Sequence, residues 1–176
     1  VTPAEVADVL EASGEAFTGT LTSIPPAVAA WHPAKGEWCV NECAGHVIEA
    51  EKRGFAGRIR IILGADDPDL PGWDRTSIAH ARNDCQKRPE EIANELGNVR
   101  SESLELIRSL GPEDVARGGN HADVGRLTVN DLLHEWVHHD GNHLRQALAN
   151  VQAYVWADMG NAPALLDGLA ELRQDL

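Results

Sequence analysis

Cysteine, methionine and most aromatic residues are scarce in this chain. Among 176 residues there are 3 Cys, 1 Met, 2 Phe and 1 Tyr, and only Trp, at 5, is well represented. An odd set of cysteines (Cys39, Cys43, Cys85) gives no disulfide framework and fits a reducing, cytoplasmic setting. No apolar run approaches the ~20 residues that span a bilayer, so no membrane segment is expected. The first residues show no basic segment followed by an apolar block, so no signal peptide is expected either. Cations are outnumbered, 15 Lys and Arg against 28 Asp and Glu, for a net charge of -13. Such a chain repels a phosphate backbone, which disfavours nucleic acid as a partner. The basic stretch from Lys52 to Arg60 then reads as a solvated helix face. Strand alternation, internal repeats and low-complexity tracts are also missing. What remains is one all-α domain, residues 1–176, large enough for a sizeable core.

The helices are written in the apolar spacing. Thr2-Pro3-Ala4-Glu5 offers an N-cap hydroxyl, a first-turn proline and a capping-box glutamate. Val6, Leu10, Phe17 and Leu21 follow as a stripe, and Pro25-Pro26 stops the helix. Trp31 to Trp38 reads as a loop with two aromatic anchors. A second helix is expected from Cys39 or Val40, with Val40, Cys43, Val47, Ala50, Gly54, Gly57 and Ile61 as an unbroken bundle seam. The turn-rich segment Gly64 to Asp74 is a connection. A third helical region should run from about Ser77 to Leu110, broken at Arg88-Pro89. Gly118 to His121 reads as a loop. Thr128 caps a fourth helix reaching about Met159, and Pro163 to Gln174 is expected to form a short extra C-terminal helix. Four long amphipathic helices make a four-helix bundle the economical arrangement.

The fourth helix carries the densest chemistry. Of the 8 histidines, His134, His138, His139 and His143 fall within ten residues. At about 100° per residue, His139 and His143 share the edge of the apolar stripe. His134 and His138 point to the polar side, where solvation is the simpler reading. Two imidazoles at i and i+4 make a two-point metal clamp that needs a ligand from a facing helix. His46, one turn into the second helix beside Cys43 and Ala50, is the best placed. His32 and His121 lie in loops and His80 near a helix start. A histidine on a helix edge is ordinarily solvated or hydrogen-bonded in the core, so the clamp alone is weak evidence. A thiolate site from Cys39, Cys43 and His46 is the competing ligand set, although free cysteine is usually a small buried apolar residue. Asp140 lies within the apolar stripe and requires a buried partner, such as an arginine or a backbone donor of a neighbouring helix. Gln146, near His139 on the wheel, is a candidate to orient a ligand. Trp136, one turn before His139, is a candidate wall. His121 and Arg126 are candidates to meet an anionic substrate at the bundle end.

Several motifs taken together resemble the DinB/YfiT-like superfamily of metal-binding four-helix bundles. Gly36-Glu37-Trp38 through Ala44-Gly45-His46 is similar to that family's tryptophan-led start of the second helix. Glu51-Lys52-Arg53, Arg58-Ile59-Arg60, Pro71-Gly72-Trp73 and Gly125 to Leu133 continue the likeness in order. His139-Asp140 with His143 and Gln146 resembles its metal signature. One departure is Cys39, where a capping Ser or Thr usually stands. The resemblance implies His46, His139 and His143 as ligands of a divalent ion, zinc or nickel. It also implies a low-molecular-weight thiol as a cosubstrate in some relatives, and homodimers of varying geometry. A homodimer would give Phe55, Ile59, Ile62 and Leu63, a second apolar face on the second helix, something to bury against.

Two functions from different classes follow. Three imidazoles with an open position suit a metal-dependent enzyme, of thiol S-transferase or hydrolase type, acting on a small molecule. The alternative is a non-catalytic, metal-dependent ligand-binding or stress-response bundle.

Overall fold

The computed structural model describes residues 1–163. Four long helical segments build the bundle: α1 (Pro3–Ser23), α3 with its continuation α4 (Val40–Glu49 and Ala56–Gly64), α6 (Pro89–Arg108) and α8 (Val129–Trp156). Short helices α2 (Pro26–Ala29), α5 (Arg75–Arg82) and α7 (Pro112–Val115) lie in the connections. Packing is four-sided: α1 lies along α6, α6 touches α3, α3 lies along α8, and α8 returns to α1. The capping box at Thr2 forms as its residues dictate, with Glu5 N–H donating to Thr2 Oγ1 and Thr2 N–H to the Glu5 carboxylate. Cys39 gives α3 no such cap; its N–H instead donates to Glu42 Oε2 at 2.9 Å. The expected C-terminal helix, Pro163 to Gln174, lies outside the described residues except for Pro163 itself.

The seam on the second helix does not run unbroken. Ala50–Phe55 is a π-turn between α3 and α4, and the wider turn advances the helix by one residue. Phe55 at its end and Ala56, Ile59 and Ile62 after it are buried, whereas Ile61 is exposed. Gly57 permits the turn, because a Cβ there would stand 2.3 Å from the Lys52 carbonyl oxygen. The second apolar face that motivated a homodimer is therefore satisfied by the chain's own core, beside Leu10, Ile107, Leu133 and Trp136.

A small three-stranded sheet is an addition to the all-α expectation. β1 (Asp69–Leu70) pairs in parallel with β2 (Gly118–His121), and β2 pairs antiparallel with β3 (Gly125–Thr128), Gly118 opposite Thr128. Strands of two to four residues, with glycine in both longer ones, leave no alternation to read. The sheet runs into α8 and fixes where that helix starts.

Two apolar clusters fill the bundle, one around Trp136 and one around Phe17 and Ile48. Each long helix changes from one to the other through a polar residue: Ser13 on α1, Glu51 after α3, Arg100 on α6 and Asp140 on α8. These four meet. Arg100 Nη2 lies 2.9 Å from Glu51 Oε2 and 2.7 Å from Asp140 Oδ2, and Ser13 Oγ donates to the same Asp140 oxygen at 2.8 Å. Arg100 also donates to the Leu10 carbonyl. The buried carboxylate of Asp140 thus has the arginine partner its position demands.

Candidate metal centre

His139 and His143 occupy successive turns of α8, and His46 reaches them from α3 across the packed α3–α8 pair. Their coordinating nitrogens all lie within 4.8 Å of one another. His46 Nε2 stands 3.1 Å from His139 Nε2. Two ligands of a tetrahedral zinc, with bonds of about 2.0–2.1 Å, stand about 3.3 Å apart, so the spacing suits an ion between them.

The outer nitrogens bear on the same point. His143 Nδ1–H donates to Gln146 Oε1 at 3.0 Å, which leaves Nε2 as the lone-pair nitrogen. Among the described residues, His139 Nδ1 and Asp140 Oδ1 are both buried without a hydrogen-bond partner, and they face each other at 4.0 Å. A small rotation of the ring brings them into hydrogen-bond range and turns Nε2 into an acceptor, as a ligating imidazole requires. Orphaned buried atoms are rare, and a cation on the far nitrogen supplies the reason to close this gap.

Burial and neighbouring charges favour the neutral form of His46 and His143. Burial, then the neighbouring His143 and His139 rings and Arg75, push His46 down to about 3. Burial and the His139 ring also lower His143, against the pull of Gln146. Burial raises the Asp140 carboxyl, but the groups around it, Arg100 and Ser13 among them, outweigh that and hold it below the usual range. Neutral imidazoles are the form that binds metal.

Aromatic rings enclose the trio. Trp38 packs on His46 at 4.8 Å and on His143 at 5.9 Å, Trp73 stacks on His46 at 5.9 Å, and Phe55 meets His139 edge-on at 5.2 Å. Trp136 does not line the site; it is fully buried and stacked behind Phe55. Above the histidines opens a cavity of about 380 Å³. Its wall is α5, through Arg75, Thr76, Ala79 and His80, together with Trp38 and Glu42. Neither His121 nor Arg126 reaches it. Both belong to the small sheet, where His121 Nδ1 accepts from the Asp123 amide and Arg126 pairs with Asp67. The pull of the sheet on these side chains replaces the role expected of them. Arg75 is the cation that sequence reasoning missed; α5 is too short and too polar to announce a wall.

His134 and His138 remain on the outer face of α8, bonded locally to the Asn130 carbonyl and to Asn142. The thiolate alternative is not assembled around His46. Cys43 lies in the apolar core, and burial, then Glu42, push its thiol up to about 12. Cys39 turns the other way and is paired with Cys85 in a disulfide, correcting the expectation that no bridge forms.

The comparisons with known proteins agree with this architecture. YfiT from Bacillus subtilis, described as a probable metal-dependent hydrolase with an unusual four-helix bundle topology, superimposes with a TM-score of 0.79 at 17% identity over 88% of both chains. The four-helix bundle protein TT2238 gives 0.61 at 24% identity, over 84% of this chain and 99% of its own. A mycothiol-dependent maleylpyruvate isomerase gives 0.62 at 11% identity, over 82% of this chain and 60% of its own. No curated protein matches by sequence. The sequence pattern of the DinB superfamily matches residues 10–147, which span all four bundle helices and the three histidines, and the chain belongs to that superfamily.

Proposed function

We propose that this protein is a divalent-metal-dependent enzyme, with zinc or nickel held by His46, His139 and His143, acting on a small molecule by thiol transfer or hydrolysis. The observation that carries the reading is the convergence of three imidazoles at the floor of an open cavity. A structural zinc ordinarily takes four protein ligands, and this trio leaves a position toward the cavity. When bound, the ion supplies Lewis-acid polarisation and lowers the pKa of a water or thiol brought to it.

The chain's own residues do the rest. Arg75 is the permanently charged cation of the cavity lining, resting over the Trp73 ring at 5.8 Å, and it can hold an anionic group of a substrate. Trp38 and Trp73 cover two sides of His46 and exclude water there. Glu42 is the carboxylate of the lining, with one oxygen already holding the Cys39 amide. Asp140 and Glu49 are committed to Arg100 and to Arg53 and Arg82, so neither is free as a base. YfiT and the isomerase, by their descriptions, support a hydrolase and a thiol-dependent enzyme respectively.

The test is to load the purified protein with zinc or nickel and follow two panels, low-molecular-weight thiols with electrophiles, and activated esters and amides. Metal-dependent turnover that disappears in His143→Ala supports the proposal. Metal-dependent thiol binding without turnover in either panel would make the protein a ligand-binding bundle instead.

A further inference from the structure

A second group of metal-ligating side chains lies one helical turn from the histidine trio and is not absorbed by it. His32 comes from the loop after α2, Cys39 stands just before the first residue of α3, Glu42 lies in the first turn of α3, and Cys85 sits in the 3₁₀ turn Asp84–Gln86. Their donor atoms lie within 4.8 Å of one another. His32 Nε2 is 2.9 Å from Glu42 Oε2 and 3.4 Å from Cys85 Sγ, while the sulfurs of Cys39 and Cys85 are bonded.

A disulfide makes use of two of these four groups. The Glu42 oxygen that accepts from the Cys39 amide also holds the His32 ring, which brings an imidazole nitrogen and a carboxylate oxygen up to the two sulfurs. Two sulfurs, one nitrogen and one oxygen are a complete four-ligand set for zinc, soft enough to favour it over magnesium or calcium. The set differs in kind from the histidine trio: it is closed by protein ligands, whereas the trio leaves a position open. Cys39 is fully buried, Cys85 half-buried, and His32 exposed, so the group is anchored on one side and reachable from solvent on the other. The Cα atoms of Cys39 and Cys85 are 6.8 Å apart, a span open to a bridging ion as well as to a bridge of two sulfurs.

We propose that His32, Cys39, Glu42 and Cys85 form a second, thiolate-bearing zinc site in the reduced protein, and that oxidation exchanges the ion for the Cys39–Cys85 disulfide. With a peroxide as oxidant the step balances. The two thiolates lose two electrons and form the S–S bond; the O–O bond of hydrogen peroxide breaks and, with two protons, yields two waters. One Zn²⁺ leaves, because one imidazole and one carboxylate are too few to hold it. Both states tie the same walls of the cavity together. Trp38, which packs on His46 and His143, immediately precedes Cys39, and Cys85 follows α5, which carries Arg75 and His80. The cluster therefore fixes Trp38 relative to α5 by metal or by sulfur.

Cobalt(II) is the probe, since a thiolate ligand gives it a charge-transfer absorption that imidazoles do not. The full chain is reduced with a phosphine, stripped with chelator, reloaded with cobalt and desalted. The proposal expects two equivalents bound, with the thiolate band present. Cys85→Ser, with one thiolate left, should weaken the band, and Cys39→Ser combined with Cys85→Ser should lose the band and one equivalent; His143→Ala should keep the band and lose the other. His32→Ala, in an exposed loop where folding is not at stake, should weaken cobalt binding at the thiolate site about tenfold or more. Hydrogen peroxide should abolish the band, release one equivalent and leave one disulfide per chain. A reduced wild-type protein without the thiolate band, or a band unchanged in Cys85→Ser, overturns the second site. Loss of metal from the histidine trio alone, with the band intact, would instead count against the proposed function and leave this site standing.

Discussion

The floor of the cavity and its wall are held by different forces. His46, His139 and His143 ride on α3 and α8, whose neighbouring residues Val47, Ile48, Trp136 and Ala147 are buried. α5, which supplies the wall, buries none of its 8 residues. It is held by Arg82, which donates to Glu49, Asp84 and Glu95 at 2.7–3.1 Å, and by the Cys39–Cys85 link just beyond its end. Gly45 makes that approach possible, since a Cβ there would stand 1.8 Å from Asp84 Oδ2. The floor is thus set by the hydrophobic core and a buried ion layer, and the wall by charges and sulfur. A rigid floor keeps ligands in place, while a wall of this kind responds to salt, redox state and bound substrate.

The largest effect should come from the floor. Arg100→Leu removes the shared partner of Glu51 and Asp140 and leaves two buried carboxylates, so unfolding stability should fall by about 3–5 kcal/mol in a denaturant titration. A loss below about 1 kcal/mol would mean the layer does not organise the floor. The next effect is on pH. The folded protein holds His46 neutral to about 3, while the unfolded chain takes up that proton near 6.5. The unfolded state binds more protons across this window, so the metal-free protein should lose stability as pH falls below about 6.5, by at most about 1.4 kcal/mol per unit from this group. His46→Asn should flatten that slope; an unchanged slope would assign it elsewhere. Gln146→Ala frees His143 Nδ1 and should cost about tenfold in metal affinity, read by competition with a chelator, with little change in melting temperature. The smallest energies concern the wall. Added salt should speed amide exchange in α5 and leave the α8 amides around His139 unchanged. Equal protection of both would erase the distinction.

What could be read from the chain follows the same division. The bundle helices repeat apolar residues at helical spacing, so their faces, the break before Pro89 and the meeting of His46 with His139 and His143 were visible beforehand. The demand of Asp140 for a buried partner, an arginine or a backbone donor, was legible as well, because a carboxylate within an apolar stripe requires one. The π-turn was not: a single added residue changes which later positions are buried without altering composition, and it turned Ile61 outward and Phe55, Ile59 and Ile62 inward. The wall was not legible either. α5 buries no residue that would signal an apolar face, and it is held by ion pairs of Arg82 with carboxylates on three different elements. Cys39 and Cys85 stand 46 residues apart, and their meeting depends on where α5 lies. Trp136, His121 and Arg126 were misjudged as lining because proximity along a helix or to a loop does not say which side a neighbour covers.

The most direct test of the central claim compares the metal content of His143→Ala and His138→Ala. Both lie on α8, both substitutions keep helix propensity, and one removes a ring of the inward trio while the other removes a ring on the exposed face. Each protein is stripped, reloaded with zinc under oxidising conditions that retain the Cys39–Cys85 disulfide, desalted and measured by elemental analysis. The account predicts one equivalent per chain in His138→Ala, as in the wild type, and almost none in His143→Ala. Equal zinc in the two variants would contradict it.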